Sequence, residues 1–396
     1  MSLEFSTVTL GDIVSLVIDY RGKTPKKLGS DWSEKGICAL SAKNIKTGNI
    51  IREDTIRYVD EELYKKWMKD EIKRNDIIIT SEAPFGEVFF WNSDEKIVLS
   101  QRLFGVRCNP EIVDPKFIYF YMTSDEFQWE LQSRATGTTV KGLRQPELLK
   151  CEIKLPNFTI QKKISYLLSN IEDKIDCLKE LNKNLEEQLS LLFNDWFVNC
   201  TPFKNEELIK SEWGVVPESW KDIEFGELIE ITSGNRPDEK SEDKTSEFNI
   251  PLFGASKIMG YTKEYSYNED ILIIGRVGTH GVVQRVNYPC FPSDNTFVIK
   301  SDYYGFVYQL LKRIDYDSLN TGSTQPLITQ KSLKTVNAVL PDEKILSKFE
   351  MISKTIFDKI QLNNDEISKL TKLRDTLLPK LMSGEIDVSK INCDLE

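Results

Sequence analysis

The chain states one pattern twice. Residues 136–156 run from Thr-Gly-Thr-Thr through Leu-Arg-Gln-Pro to Lys-Leu-Pro, and residues 321–341 run from Thr-Gly-Ser-Thr through Leu-Ile-Thr-Gln to Val-Leu-Pro. Thr136 and Thr321 stand 185 residues apart, and the two stretches stay in step without a gap as far as Pro156 and Pro341. Shorter matches precede them in the same order. Leu10-Gly-Asp-Ile13 answers Phe225-Gly-Glu-Leu228, Gly22-Lys-Thr-Pro25 answers Gly234-Asn-Arg-Pro237, and Leu40-Ser-Ala-Lys-Asn-Ile45 answers Phe253-Gly-Ala-Ser-Lys-Ile258. Asn75–Ile79 then answers Glu269–Ile273, and Ser100–Phe104 answers Ser293–Phe297. Each copy ends in a long amphipathic segment. A domain plus helix, repeated, predicts two like units related by an internal pseudo-two-fold, and such a molecule suits a bipartite partner.

Length fits two domains with connecting helices. No run approaches the ~20 apolar residues of a membrane span, and Met1-Ser-Leu-Glu-Phe5 lacks the shape of a signal peptide. The seven cysteines are odd in number, scattered and never spaced Cys-x-x-Cys, which argues against a disulfide framework or zinc site and suits the cytoplasm. Net charge is −10, so a polyanion could bind only at a local basic face. Residues 20–50 supply one: Arg21, Lys23, Lys26, Lys27, Lys35, Lys43 and Lys46 against Asp31 and Glu34.

Short apolar runs broken by Gly and Pro fill residues 1–156 and 201–341, so each reads as a mixed α+β domain. Ile77–Thr80, Val88–Trp91, Ile271–Ile274 and Gly281–Val286 are expected strands; 117–131 and 304–314 are expected helices. The segments 157–200 and 342–396 each hold a long heptad helix, about 159–198 and 342–382. In the first, Leu168, Ile175, Asn182, Leu189 and Trp196 take a positions, and Ile164, Ile171, Leu178, Leu185 and Leu192 take d. In the second, Leu346, Ile360, Ile367 and Leu381 are a and Phe349, Ile356, Leu370 and Leu377 are d, with Ser353, Asn363 and Arg374 as polar interruptions. Two helices of matched phase, each about 60 Å long at ~1.5 Å per residue, predict an intramolecular coiled coil.

Catalytic signatures are missing. There is no glycine-rich phosphate loop and no Asn-Pro-Pro-aromatic or Asp-Pro-Pro-Tyr segment, and Pro237-Asp238 with Glu242-x-Lys244 is spaced too closely for a nuclease metal site. The single histidine, His280 in Arg276-Val-Gly-Thr-His280, rules out a histidine metal cluster. No cofactor is expected. Polar loops instead suit duplex DNA, with backbone N–H groups and hydroxyls for phosphate and Arg or Gln for base edges. The candidates are Arg21, Lys23, Lys43, Arg134, Thr138, Lys141 and Arg144 in the first half, and Arg236, Lys257, Arg276, His280, Thr324 and Gln325 in the second. Gln145-Pro-Glu147 and Thr329-Gln-Lys331 also read as helix starts, and a helix N-terminus is itself a phosphate site.

Gly11-Asp-Ile, Tyr20-Arg-Gly-Lys-Thr-Pro25, Asp76-Ile-Ile-Ile, Thr136-Gly-Thr-Thr139, Leu155-Pro156 leading to Ile160-Gln-Lys-Lys-Ile164, and Val216-Pro-Glu-Ser-Trp220 occur in an order that resembles the specificity subunit of type I restriction–modification systems. The resemblance covers essentially the whole chain; the second copy departs from it at Leu340-Pro-Asp-Glu-Lys-Ile345, where the glutamine of the first is missing. It implies two pseudo-symmetric α/β target recognition domains joined by an antiparallel coiled coil of two long helices. Each domain would read half of a split DNA target, and the coil would set the gap. Two methyltransferase subunits would dock on the chain, and motor-nuclease subunits would complete the assembly. The alternatives are a coiled-coil adaptor whose repeated domains bind protein, and an enzyme with an unrecognised site. In an antiparallel pair a faces d, so the heptads set Asn182 against Asn363, Leu168 against Leu377 and Trp196 against Phe349. The amide pair would fix the register.

Overall fold

The computed structural model describes residues 5–137, 141–211, 213–320 and 327–391. The chain forms two compact units, one of residues 1–177 with 366–396 and the other of 178–365.

In the first unit the strands that build the shared sheets are β1 (Phe5–Thr9), β2 (Val14–Asp19), β3 (Ile37–Leu40), β4 (Arg57–Val59), β5 (Asp76–Ser81), β6 (Phe85–Trp91), β7 (Ile97–Leu99), β8 (Leu103–Cys108) and β9 (Glu152–Pro156). In the second they are β10 (Lys221–Glu224), β11 (Glu230–Ser233), β12 (Ile250–Phe253), β13 (Ile258–Thr262), β14 (Ile271–Gly275), β15 (Gln284–Val286), β16 (Phe291–Pro292), β17 (Thr296–Lys300) and β18 (Asn337–Leu340). Each unit has a sheet in the order β2-β8-β5-β6 or β11-β17-β14-β15, a sheet β4-β3-β7 or β13-β12-β16, and a pair β1-β9 or β10-β18. Within the three-stranded sheets β3 runs parallel to β7, and β12 to β16. The repeat read in the sequence is thus a repeat of topology. Central strands β5 and β14 are buried along their whole length, which is why Ile77-Ile-Ile79 and Ile271-Leu-Ile-Ile274 are unbroken apolar runs instead of alternating ones.

The first-unit helix expected over 117–131 is two helices, α1 (Pro115–Thr123) and α2 (Asp125–Ser133). Ser124 lies between them with extended backbone, and its hydroxyl accepts from the Phe127 N–H at 3.4 Å, so the chain restarts there with a fresh cap. Asp114 caps α1 by accepting from the Phe117 N–H at 2.8 Å. A short helix α3 (Gln145–Leu149) precedes β9. The long helix α4 (Phe158–Phe193) ends in one wide π turn, Asn194–Val198. In the second unit α5 (Tyr304–Leu311) is shorter than the expected 304–314, and β15 begins three residues later than the strand expected from Gly281. Gly281 has a φ of +79°, which an extended strand cannot hold. Helix α6 (Gln330–Lys334) precedes β18, and α7 (Glu343–Met382) follows.

Within each unit, α4 and α7 meet in opposite senses. In the first, Ile160, Ile164 and Leu168 share a core with Leu377, Leu381 and Met382, and Glu172 lies 3.7 Å from Arg374 while Lys174 lies 3.8 Å from Glu366. In the second, Leu189 and Phe193 share a core with Leu346 and Phe349, and the Trp196 and Phe349 rings lie 6.2 Å apart. Helix α5 touches α7 so closely that a Cβ at Gly305 would collide with Ser353 Oγ. The Glu350 carboxylate on α7 accepts from the Gly305 and Phe306 N–H groups at 2.9 and 2.8 Å, capping α5 from a neighbouring helix. Among the described residues, no helix is long and apolar enough to cross a membrane.

Candidate nucleic-acid interface

In the first unit the loops at one end of the sheets are tied by a run of hydrogen bonds. Arg21, just after β2, donates from Nη1 to the Leu143 carbonyl at 2.9 Å. Leu143 N–H donates to Ser81 O, and Ser81 N–H donates to Arg102 O at 2.8 Å. Next door, Ala42 N–H donates to Gln101 O and Ser100 N–H to Leu40 O. Segments distant in sequence thereby become one platform. The Ser41–Ile45 loop is held from beneath by buried Asn44, whose side chain accepts from Ser41 Oγ at 2.8 Å and donates to Thr55 Oγ1 at 3.1 Å.

That platform carries a cleft of about 320 Å³ whose lining includes Trp32, Lys43, Arg57, Gln101 and Arg102. Three of its lining residues are cationic and none is acidic, in a chain of net charge −10. The Arg57 guanidinium lies 5.2 Å from the centre of the Trp32 ring. Arg102 sits in the left-handed backbone region at φ +66°, uncommon for so large a residue, and Nε makes a 3.1 Å ion pair with Glu82. Both partners are well exposed, so solvent screens the pair and Arg102 can exchange Glu82 for an anionic ligand at small cost. A basic, aromatic-edged, half-open cleft suits phosphate and base edges together.

The same frame recurs in the second unit. Ser293 N–H donates to Phe253 O as Ser100 does to Leu40, Arg276 N–H donates to Asn295 O as Ser81 does to Arg102, and Ile328 N–H donates to Arg276 O as Leu143 does to Ser81. Ser241 pairs with Tyr261 as Ser33 pairs with Tyr58. A Cβ on Gly275 would lie 2.7 Å from Ala255 Cβ, so the 254–257 loop is seated directly on the end of β14.

The candidate residues divide by what they touch. Lys43, Lys141, Arg144, Arg236 and Lys257 are exposed. Arg21 is held by Asp19 at 2.8 Å and stacks on Phe104 at 3.9 Å; Lys23 donates to the Trp67 carbonyl and lies over Tyr20. Burial, with Lys69 adding to it, holds the Lys23 ammonium below its ordinary range. Arg134 is paired with Glu130 at 2.6 Å. In the second unit Arg276 lies over Phe297 at 5.6 Å, and His280 Nδ1 lies 3.2 Å from Gly275 O with its ring stacked on Tyr316. Thr138, Thr324 and Gln325 lie outside the described residues. The platform therefore gathers Arg21, Lys43 and Arg144 in one unit and Arg276 and His280 in the other. Arg134 is engaged on α2 by its neighbour one turn back.

A family model described as the type I restriction modification DNA specificity domain matches residues 3–187 and again 217–372. The chain belongs to that family. It is a DNA-recognition subunit and not an enzyme in its own right. The two matched stretches are the two copies of the repeat. Among named relatives, the type I restriction enzyme MjaIX specificity subunit of Methanocaldococcus jannaschii is 26% identical over 364 residues, covering 85% of this chain and 83% of that protein. The MjaVIII specificity subunit of the same organism is 22% identical over 424 residues, covering 98% and 94%. The solved S subunit of a type I restriction-modification system from M. genitalium has the same fold, with a TM-score of 0.60 at 17% identity over 96% of both chains.

Reading the specificity subunit from sequence missed Trp32, Arg57, Gln101 and Arg102. The signal for two of them was present. Ser100–Phe104 matches Ser293–Phe297, and two of the three positions that differ inside that match are exposed, Gln101 and Arg102 against Asp294 and Asn295.

Proposed function

We propose that residues 1–156 and 201–341 are two target recognition domains, each reading one half of a bipartite duplex DNA target. The helices within 157–200 and 342–396 form an antiparallel coiled coil that sets the spacer between half-sites. Two methyltransferase subunits dock on the chain, motor-nuclease subunits join them, and the assembly works in the cytoplasm. The observation that carries this reading is the duplicated loop frame: the same hydrogen bonds close the same platform in each unit, while the exposed side chains on it differ. A common frame with variable side chains is what two independent sequence readers require. The first unit's cleft, lined by three cations and no carboxylate, adds a surface that suits a polyanion.

The test is a domain exchange. Residues 1–156 are replaced by the matching domain of a relative, the variant is assembled with its methyltransferase partners, and the methylated motif is sequenced. One half of the motif is expected to change while the other persists. A change in both halves, or loss of methylation by a folded, assembled complex, would overturn the modular reading. A DNA affinity that stays level from 50 to 200 mM salt would favour the adaptor instead.

A further inference from the structure

The strand registers and loop bonds assign each cleft residue of the first unit an equivalent in the second. Phe253 and Leu40 accept the same hydrogen bond, so Lys43 answers to Ser256. Arg57 pairs with Ala39 in one sheet, and Gly260 pairs with Leu252 in the other, so Arg57 answers to Gly260. Arg102 and Asn295 accept from Ser81 and Arg276, so they too are equivalent, and Gln101 answers to Asp294. The frame is shared, but each cation of the cleft has an uncharged equivalent: Lys43, Arg57 and Arg102 answer to Ser256, Gly260 and Asn295. Gly260 could not carry an arginine without movement, since a Cβ there would lie 2.6 Å from the Ser241 carbonyl oxygen.

We infer that the two units apply different base-reading chemistry at this equivalent place: Arg102 reads a guanine in the first half-site, and Asn295 reads an adenine in the second. A guanidinium donates two parallel hydrogen bonds to guanine O6 and N7, and adenine offers no pair of acceptors to it. An asparagine amide both accepts and donates, matching adenine N6 and N7, and cannot donate twice to guanine in the same way. Arg102 is exposed, lines the open cleft, and its charge meets only the screened ion pair with Glu82. Asn295 is exposed at the turn between β16 and β17. Lys43 and Arg57, flanking Arg102, supply phosphate contacts that hold the duplex in register, whereas Ser256 and Gly260 supply no charge.

This rests on the reading that each unit binds one half-site, and the domain exchange tests that separately. The experiment here uses the full chain assembled with its methyltransferase subunits and compares wild type with Arg102→Asn and Asn295→Arg. Binding is measured to duplexes carrying each of the four base pairs at every half-site position. Wild type is expected to require a G·C pair in the half-site of the first domain. Arg102→Asn should lose about ten- to a hundredfold of discrimination at that pair alone. Asn295→Arg should lose discrimination at one A·T pair of the other half. A first half-site without a required G·C pair, a variant whose preferences stay those of wild type, or a change in the wrong half would each overturn the inference. If Arg102→Asn abolishes methylation, the binding series still decides, because equal binding of all four pairs at one position supports it and retained preference everywhere overturns it.

Discussion

Asn363 donates from Nδ2 to Asn182 Oδ1 at 2.7 Å, and Asn182 in turn donates from Nδ2 to Asn364 Oδ1 at 2.9 Å. Asn363 is fully buried. Two helices that slid past each other by a heptad would leave the buried Asn363 amide against apolar side chains, at about 1–3 kcal/mol for the unpaired group. Asn363→Leu should therefore lower stability by roughly that amount. Asn182→Leu/Asn363→Leu together should cost less than the sum of the single changes. Chemical denaturation of the four proteins gives the cycle. Strict additivity would mean that the amides are not coupled.

Glu172 gives the first unit a pH-dependent stability. Burial raises its carboxyl to about 7, with Asp176 and Asp173 adding to the rise and Arg374 and Lys116 opposing it. A carboxyl raised on folding binds its proton more tightly in the folded state. Its contribution is best below about 4.5, is lost as pH climbs from about 4.5 to about 7, and above 7 the folded protein carries a half-buried charge that Arg374 only partly offsets. Glu172→Gln should remove that slope and stabilise the protein at pH 8 by on the order of 1–3 kcal/mol, with little effect near pH 4.5. Melting temperatures of both proteins across this range check it. Parallel curves would show that Glu172 is not the source.

Lys43 and Arg57 should behave as phosphate contacts. Changing either to Ala is expected to weaken binding of cognate and non-cognate DNA alike. Each should lower the slope of log affinity against log salt by about 0.9. A loss confined to the cognate sequence, with an unchanged slope, would assign them to base contact instead.

Arg21 should act on DNA at second hand. Its guanidinium joins Asp19, the Phe104 face and the Leu143 carbonyl, so it fixes the loop that precedes α3. Arg21→Ala is expected to cost about 1–3 kcal/mol of stability through the orphaned partners, and to weaken cognate binding with the salt slope unchanged. A slope reduced by a full contact would instead place Arg21 on the DNA backbone.

The duplication, the buried strands and the two long helices were legible because each leaves a periodic or repeated trace. Ile77-Ile-Ile79 is a short apolar run that reads as a strand, and the register arithmetic that set Trp196 opposite Phe349 could be done on paper. The cleft was not legible. Arg57 comes from an edge strand of the small sheet and Trp32 from a loop before it, and nothing local marks either as neighbours of Arg102. Cation density misled in the other direction. Arg21 and Lys23 look available in sequence, yet Asp19 and the Trp67 carbonyl, one two residues away and one across the fold, already engage them. Ser124 read as one more polar position in a helix, whereas its backbone is extended and starts a new one.

The core of the first unit contains Leu381, Met382 and Val388, with Ile386 and Ile391 packed on it, and the Lys163 ammonium donates to the Ser389 carbonyl. These groups lie beyond all of residues 178–365 along the chain. A ribosome reading from the first codon must therefore make the whole second unit before the first can close, a wait of roughly ten seconds or more at ~5–20 residues per second. During that interval Ile160, Ile164 and Leu168 lack the part of their core that Leu381, Met382 and Val388 supply. A transcript cut short within α7 would deny the amino-terminal unit its last layer, so damage near the end of the message would be felt at its beginning.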